Sequence, residues 1–188
     1  MKWTAAAAAM VLAAAPVLVA WESRYADGPP PGFTGDFGEP TCGTCHMDAP
    51  IVADAPELSL AGVPALYEPG RAYLITLAVH NERMGVGGFQ LSARTTAGAQ
   101  AGTWRAVDAR ARIVRDSAAG VAYAIHTIEG TALVSPDSAG WTLEWTAPES
   151  AGDSVVFSAV ANAANGDDSN FGDEIYTRRA VSARRPTP

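Results

Sequence analysis

The segment YLITLAVH, residues 73–80, alternates between two faces along its whole length. Leu74, Thr76, Ala78 and His80 share one face, and the positions between them form the other. Alternation with a period of two, in a run that contains β-branched residues, is typical of a β-strand with one buried side. The segment therefore predicts a strand that ends at His80.

Six further segments have the same character and are separated by turns such as EPG, SPDSAG and APESAGDS. They are residues 88–94, 111–115, 121–127, 141–146, 155–161 and 174–178. No long segment after residue 20 shows a helical period. Seven short antiparallel strands over about 110 residues predict an all-β fold, a β-sandwich of immunoglobulin type.

The first twenty residues, MKWTAAAAAMVLAAAPVLVA, consist of one lysine followed by a small and apolar run, and the polar sequence Trp21-Glu22-Ser23 follows them. This pattern predicts a secretory signal peptide that is cleaved after Ala20. An uncleaved membrane anchor is the alternative, since the apolar run of about 17 residues is at the lower limit for spanning a bilayer. After cleavage we expect a periplasmic, secreted or cell-surface protein without a membrane span.

Export also changes the charge, because Lys2 is the single lysine of the chain. Its removal leaves 12 of the 13 basic residues against 20 acidic ones, a formal charge of −8. A chain this acidic, with no basic patch, is a poor candidate for binding nucleic acid. Small basic redox proteins would be better partners.

At 188 residues the chain has room for one well-packed domain. We expect a signal peptide at 1–20, a Gly/Pro-rich segment at 21–60, the sandwich at 61–180 and a disordered tail at 181–188. The Gly/Pro-rich segment should fold back onto the sandwich.

The Gly/Pro-rich segment contains EPTCGTCHMD, residues 39–48, which holds both cysteines of the chain. In Cys-x-x-Cys-His the two thiols add across the vinyl groups of a haem, and the adjoining imidazole becomes an axial ligand of the iron. The motif predicts one covalently bound haem c, with Cys42, Cys45 and His46 as its attachment and iron-binding residues.

Three other interpretations of the cysteines are open. A disulfide between Cys42 and Cys45 would close a very short loop and stabilise the fold weakly. A thioredoxin-like redox pair requires a preceding buried strand, whereas the sequence before Cys42 is a Gly/Pro-rich loop. A zinc site would need His80 and His126 to complete its four ligands.

A second axial ligand can come from few residues. Met47 follows His46 directly and lies on the same side of the ring, which leaves His126, His80 and Met84. His126 is the preferred distal ligand, because Ala122 and Ala124 share its face of a strand and would leave a shallow surface for a porphyrin. His80 and Met84 remain alternatives, and histidine would give a lower reduction potential than methionine.

Oxygen-bearing side chains are concentrated in NAANGDDSNFGDE, residues 162–174. Carboxylate and amide oxygens suit Ca²⁺. Asn, Asp and Gly mixed in this way are more often a turn held by hydrogen bonds from side chains to the backbone, and the spacing does not fit an EF-hand loop.

Several stretches together resemble a family of exported bacterial proteins with a Reeler-like sandwich, called choice-of-anchor V. They are GPPPGFTGDFGEPTCGTCH (28–46), YEPGRAYLITLAVH (67–80), GGFQLSAR (87–94), IHT (125–127), WTLEWTAP (141–148) and FSAVANAANGDDSNFGDEIYT (157–177). The resemblance implies a β-sandwich outside the cytoplasm, haem at Cys42, Cys45 and His46, and a functional role for His126. Relatives often end in an anchoring tail, whereas this sequence ends in RRAVSARRPTP.

The sequence thus predicts an extracytoplasmic monohaem c-type cytochrome that transfers electrons and is not an enzyme. One alternative is a cell-surface or matrix binding module of Reeler type, with structural haem or none. Another is a haem-based sensor whose sixth iron position is open.

Overall fold

The computed structural model describes residues 25–150 and 152–186. The predicted signal peptide at 1–20 and its cleavage point after Ala20 lie outside the described residues. The same holds for the last two positions of the predicted tail.

The described part of the chain contains eleven β-strands and two single-turn 3₁₀ helices. The strands are β1 (Ile51–Ala53), β2 (Leu58–Ala61), β3 (Leu66–Tyr67), β4 (Ala72–His80), β5 (Val86–Thr95), β6 (Thr103–Ala106), β7 (Ala111–Asp116), β8 (Val121–His126), β9 (Ser138–Thr146), β10 (Ser154–Ala164) and β11 (Glu174–Arg184). The 3₁₀ turns are Cys42–Thr44 and Glu129–Thr131.

The strands form two sheets that pack face to face. The large sheet has the order β1-β11-β10-β5-β8-β7, with β3 also paired to β11, and the small sheet has the order β2-β4-β9-β6. Pairing is antiparallel except where β1 and β3 join β11 in parallel. The predicted all-β sandwich is confirmed.

All seven predicted strands are present, several of them longer than their predicted limits. The sequence prediction missed β1, β2, β3 and β6, which have two to four residues each and are too short to show a period. Because β1 and β2 both begin before residue 61, the sandwich begins earlier than the predicted boundary. At the other end, β11 includes residues 181–184 of the predicted tail.

Aromatic side chains fill the space between the sheets. Trp145 and Phe157 meet edge to face with their ring centroids 4.8 Å apart, and Phe89 lies 4.6 Å from Trp141. The Trp145 indole N–H donates to the carbonyl of Ala101 at 3.0 Å, so its polar atom is satisfied within the core.

The other face of the large sheet is covered by residues 25–41, which fold back onto it. Val121, Tyr123 and Ile125 form a second apolar cluster on this face. Gly28 lies against Ile125 at a φ of +97°, and a Cβ there would come within 2.5 Å of the Ile125 Cδ1 atom. Only glycine combines this backbone conformation with so close an approach.

A buried polar network fixes the same segment to the sheet. Glu39 accepts hydrogen bonds from Arg94, from the Tyr123 hydroxyl at 2.5 Å and from the Thr34 hydroxyl at 2.5 Å. The Arg94 and Glu39 side chains are only 6% and 13% exposed. The network therefore anchors the chain three residues before Cys42.

Candidate functional site

The Cys42–His46 motif is a tight turn that follows this anchored segment. Thr41 caps it, since the Thr41 hydroxyl accepts from the Gly43 N–H at 3.2 Å. The Cys42 carbonyl then accepts from the amides of Cys45 and His46 at 3.1 and 3.0 Å. These bonds curl the five residues around one carbonyl, which keeps both thiols and the imidazole close together.

Both cysteines are free thiols in this structure. Cys45 is exposed, and Cys42 is partly exposed. Burial of the Cys42 thiol raises its pKa to about 12. A redox-active pair of thioredoxin type depends on a thiol whose pKa is lowered, so the environment of Cys42 is opposite to the one that this alternative requires.

The imidazole of His46 is held by a buried carboxylate. Its Nδ1 atom lies 2.5 Å from Oδ2 of Asp173, whose side chain is only 1% exposed, while the His46 side chain is 26% exposed. A carboxylate can only accept a hydrogen bond, so Nδ1 carries the proton. The lone pair of the neutral ring is then on Nε2.

The side chain of Asn162 packs on the same ring. Its Nδ2 atom is 3.3 Å from Nδ1 and 3.2 Å from Nε2 of His46. An atom almost equidistant from both nitrogens at this range must lie over the ring face, because in the ring plane it would overlap Cε1. Asn162 therefore leaves the in-plane direction at Nε2 unobstructed.

Exposed apolar side chains surround the turn. We call this set the apolar rim, and each member is at least 40% exposed: Met47, Ile51, Val52 and Phe171. Ile51 packs on the turn itself, since a Cβ added at Gly43 would lie 3.3 Å from it. The Asp48 carboxylate accepts from the Gly172 N–H at 2.5 Å and so ties the Phe171 loop to the motif.

A cleft of about 380 Å³ includes Asp173, a residue that contacts His46, in its lining. Asp48, Val52, Arg83 and Asp173 are among the residues that line it. Arg83 forms an ion pair with Glu174 at its edge. The cleft is therefore lined largely by charged side chains, and the exposed apolar surface is supplied by the apolar rim.

His126 occupies a different environment at the end of β8. It is 8% exposed. The β5–β8 pairing stops at Gln90 and Ile125, and beyond it the Phe89 N–H donates to Nδ1 of His126 at 3.0 Å. The ring also interacts with the backbone of Tyr25. Where the pairing of β5 and β8 ends, the Nδ1 atom of His126 thus accepts the Phe89 N–H in place of a backbone carbonyl.

The surface predicted beside His126 is not present. Ala122 and Ala124 are 3% and 0% exposed and belong to the core between the sheets. Their face of β8 is turned inward, because the opposite face carries Tyr123 and Ile125 under the N-terminal segment. A porphyrin cannot cover the two alanines without opening the sandwich.

His46 and His126 are nevertheless close in the fold. The His126 ring lies against Gly88, where a Cβ would be 2.8 Å from its Cε1 atom. Gly88 is the register partner of Asn162, which packs on His46. The Gly88–Asn162 pair therefore contacts both histidines, and the assignment of His126 as distal ligand stays a prediction.

The two alternative ligands lie in unlike surroundings. Met84 is 5% exposed and packs in the core, with its Cε atom 3.2 Å from where a Cβ of Gly87 would be. His80 is exposed at the end of β4, and its Nδ1 atom lies 3.1 Å from the Ser138 hydroxyl. Among the described residues, neither forms a hydrogen bond to the Cys42–His46 turn.

Burial of His126 predicts a stability that depends on pH. Desolvation lowers the pKa of His126 below its ordinary 6.5, against the opposing interactions with Phe89 and Tyr25. The unfolded chain, with its higher pKa, then binds a proton to His126 more readily than the folded chain does. The stability that neutral, buried His126 contributes is therefore present above the unfolded pKa and is lost as pH falls through the folded pKa. Between about pH 7 and pH 5 the free energy of unfolding should fall less in a His126→Gln variant than in the wild type. Urea titrations would measure it in the chain without haem, in a Cys42→Ser/Cys45→Ser background, with exposed His80→Gln as control. Equal slopes for all three proteins would contradict the prediction.

The acidic loop between β10 and β11 is organised by its own side chains. Asn165 Oδ1 accepts from the Asp167 N–H at 3.0 Å, and Asp167 Oδ1 accepts from the Ser169 N–H at 2.9 Å. This is the turn expected as the alternative to a calcium site. In residues 25–150 and 152–186, no group of three or more His, Cys, Asp or Glu side chains is placed to hold a metal ion.

Sequence reasoning missed the two residues that contact His46. Asp173 and Asn162 lie near the two ends of the acidic stretch 162–174, whose composition indicates calcium or a turn and gives no link to His46. They lie 127 and 116 positions from His46 in the chain. No local pattern connects residues so far apart.

Comparisons with solved structures identify the fold. The reeler domain of human F-spondin superimposes with a TM-score of 0.51 at 20% identity, covering 73% of this chain and 95% of that domain. A second structure, of the Reelin-N domain of F-spondin, gives a TM-score of 0.51 at 20% identity over 77% of this chain and 97% of the other. The fold is a Reeler-type β-sandwich.

At this identity the likeness to the F-spondin domains concerns the Reeler-type fold alone. No protein-family model matches the chain, and no curated protein matches it at a significant level. Within the described residues, no helix is long and apolar enough to cross a membrane.

Proposed function

We propose that this Reeler-type sandwich carries one covalently attached haem c at Cys42, Cys45 and His46, and that it transfers single electrons outside the cytoplasm. The observation that carries the proposal is the setting of His46. Its Nδ1 atom is occupied by a buried carboxylate, whereas Nε2 is the free ligand atom on an exposed turn with two free thiols. Metal-binding histidines commonly have this arrangement, in which the second ring nitrogen donates to a carboxylate.

The surroundings fit the same group. Cys42 and Cys45 would form the thioether links, and His46 would bind the iron through Nε2. Porphyrin faces are apolar, and the apolar rim offers exposed apolar surface beside the turn, whose burial stabilises by roughly 25 cal/mol per Å². When bound, the haem iron supplies reversible one-electron chemistry, and the chain supplies attachment, ligand and dielectric.

His126 remains our proposal for the distal ligand, with His80 and Met84 as alternatives. The choice rests on the resemblance of the sequence IHT (125–127) to the exported family, and both histidines lie beside the Gly88–Asn162 pair of the large sheet. Iron binding would require the His126 ring to give up its hydrogen bond from the Phe89 N–H. The choice can be tested by replacing His126 and His80 separately by Ala and comparing the low-spin absorption bands of the two variants. Loss of these bands in the His126 variant alone is the expected result.

We also propose that the protein is exported and that it belongs to the family it resembles in sequence. A signal peptide at 1–20 would deliver the protein to the periplasm, the cell surface or the medium, where a redox protein is the proposed partner. Membership of the choice-of-anchor V family is also proposed, and the Reeler-type fold supports it. An electron carrier or a binding module is proposed rather than a catalyst.

Mass spectrometry of the mature protein tests haem attachment directly. Made in a host with cytochrome c maturation, the wild type should exceed the mass of its polypeptide by one haem. A Cys42→Ser/Cys45→Ser variant should show the bare polypeptide mass. Replacing the exposed Ser59 by Ala provides a control with haem still attached. Recovery of only the bare wild-type polypeptide in that host would refute the proposal.

A binding module without haem is the second candidate, favoured by the Reeler-type fold and by the exposed apolar rim. The visible spectrum separates it from the first. Absence of haem bands supports the module, a low-spin six-coordinate spectrum supports electron transfer, and a high-spin spectrum that changes with carbon monoxide supports a sensor with an open iron position.

A further inference from the structure

We infer that Asp173 is a positioning residue, which fixes the tautomer and orientation of His46 so that Nε2 is left as the ligand atom. The role of Nε2 as an iron ligand rests on the proposed haem function. The geometry on which the inference depends exists in the polypeptide without haem. It can therefore be tested separately from haem attachment.

Asp173 is a buried carboxylate with few partners. Its Oδ2 atom pairs with His46 Nδ1, and its Oδ1 atom accepts from the Asn165 N–H at 3.1 Å. Among the described residues no arginine lies within salt-bridge distance of it. Because a buried carboxylate is costly unless it is well bonded, its placement against His46 indicates a role for that contact.

The two strands on either side of the acidic loop both contribute a contact to the His46 imidazole. Asp173 immediately precedes β11, and Asn162 lies in β10. These strands pair over ten residue positions. The register of β10 with β5 has the same length, and no other register between described strands is longer. Asp173 bonds the ring edge while Asn162 covers its face, so a rigid hairpin fixes both the rotation and the tautomer of His46.

The consequence is chemical as well as geometric. A carboxylate on Nδ1–H makes the imidazole a stronger electron donor through Nε2. A stronger donor stabilises the oxidised metal more than the reduced metal. Asp173 should therefore lower the reduction potential of an iron bound to His46.

An Asp173→Asn substitution gives a sharp test, since it should reverse the tautomer. Oδ1 would keep its hydrogen bond from the Asn165 N–H, and the new NH₂ group would then face His46 Nδ1 as a donor. The ring would have to accept at Nδ1 and carry its proton on Nε2, which is the wrong tautomer for binding iron.

The experiment uses the full chain without haem, carrying Cys42→Ser and Cys45→Ser, in alkaline buffer. Long-range ¹H–¹⁵N correlation spectra report which ring nitrogen is protonated, and a His46→Gln variant assigns the signals. We expect the Nδ1–H tautomer in the chain that retains Asp173 and the Nε2–H tautomer in the Asp173→Asn variant. An Nε2–H tautomer in the chain with Asp173 intact would overturn the inference without any need for the substituted protein.

Two control variants separate positioning from general effects of mutation. Asn162→Ala removes the side chain over the ring face but leaves Nδ1 and Asp173 in contact. Asp168→Asn changes an exposed aspartate of the same loop, at a φ of +62° that asparagine tolerates. Both should retain the Nδ1–H tautomer, and a change of tautomer in either would contradict the assignment to Asp173.

The haem-loaded protein gives an independent readout. In Asp173→Asn the reduction potential should rise and binding of His46 to iron should weaken by roughly 10–100-fold. An unchanged potential with haem attached would overturn the inference while leaving the proposed function intact. Absence of haem from the wild type would refute the proposed function and leave the inferred effect of Asp173 on the His46 tautomer intact.

Discussion

Replacing Glu39 by alanine is expected to lower the free energy of unfolding by about 3–5 kcal/mol, because it leaves the buried Arg94 guanidinium without its partner. Arg94 and Glu39 are 6% and 13% exposed, and the Tyr123 hydroxyl donates to the same carboxylate. Burial alone would raise the pKa of Glu39, but the hydrogen bonds from Thr34, Tyr123 and Arg94 outweigh it and lower the pKa below 4.5. Denaturant unfolding at neutral pH would measure the loss.

The Arg105–Glu144 pair provides the matched control. It is bidentate, with N–O distances of 2.9 and 2.7 Å, but the Arg105 side chain is 63% exposed. An exposed pair of this kind is screened by solvent and contributes little to stability, so Glu144→Ala should be nearly neutral. If Glu39→Ala destabilised the protein no more than Glu144→Ala, the network would not be the anchor of the N-terminal segment.

The same network should depend on pH in a defined direction. Since the folded pKa of Glu39 is lowered, its contribution is present above the unfolded pKa near 4.5 and disappears as pH falls through the folded value. The difference in unfolding free energy between wild type and Glu39→Ala should therefore shrink in acid. A difference that stayed constant would assign the loss to packing.

Trp145→Ala should be comparably damaging, with a loss of about 3–5 kcal/mol in unfolding free energy. The indole is 0% exposed and lies edge to face with Phe157 and Tyr67, at centroid distances of 4.8 and 5.9 Å. Its removal leaves a cavity between the sheets and an unpaired carbonyl at Ala101. Thermal and denaturant unfolding both report this loss.

A pair of phenylalanine substitutions isolates the hydrogen bond from the packing. Trp104 is the register partner of Trp145, and its buried indole nitrogen has no hydrogen-bond partner in the described part of the chain. Trp145→Phe should cost about 1–3 kcal/mol more than Trp104→Phe, because only the first leaves a buried carbonyl unsatisfied. Equal losses would mean that the bond to Ala101 contributes little.

Much of the fold could be predicted from local sequence. The longer strands, such as β4 and β9, carry their period of two within one segment, and burial of one face follows from it. The Cys42–His46 motif is equally local, because five adjacent residues contain the thiols and the imidazole. The four short strands could not be found this way, since a strand such as Leu66–Tyr67 is defined by its pairing with β11 rather than by a pattern of its own.

The sequence by itself determined that this is an all-β sandwich with two thiols and a histidine on one irregular turn, because alternation and motif spacing are properties of neighbouring residues. Only the tertiary structure decided what surrounds the histidines. Strand register brings Asp173 and Asn162 to His46 across more than a hundred positions, and it buries His126 against Gly88. Contacts of this kind arise from the pairing of distant strands and the packing of two sheets, for which the chain carries no local signal.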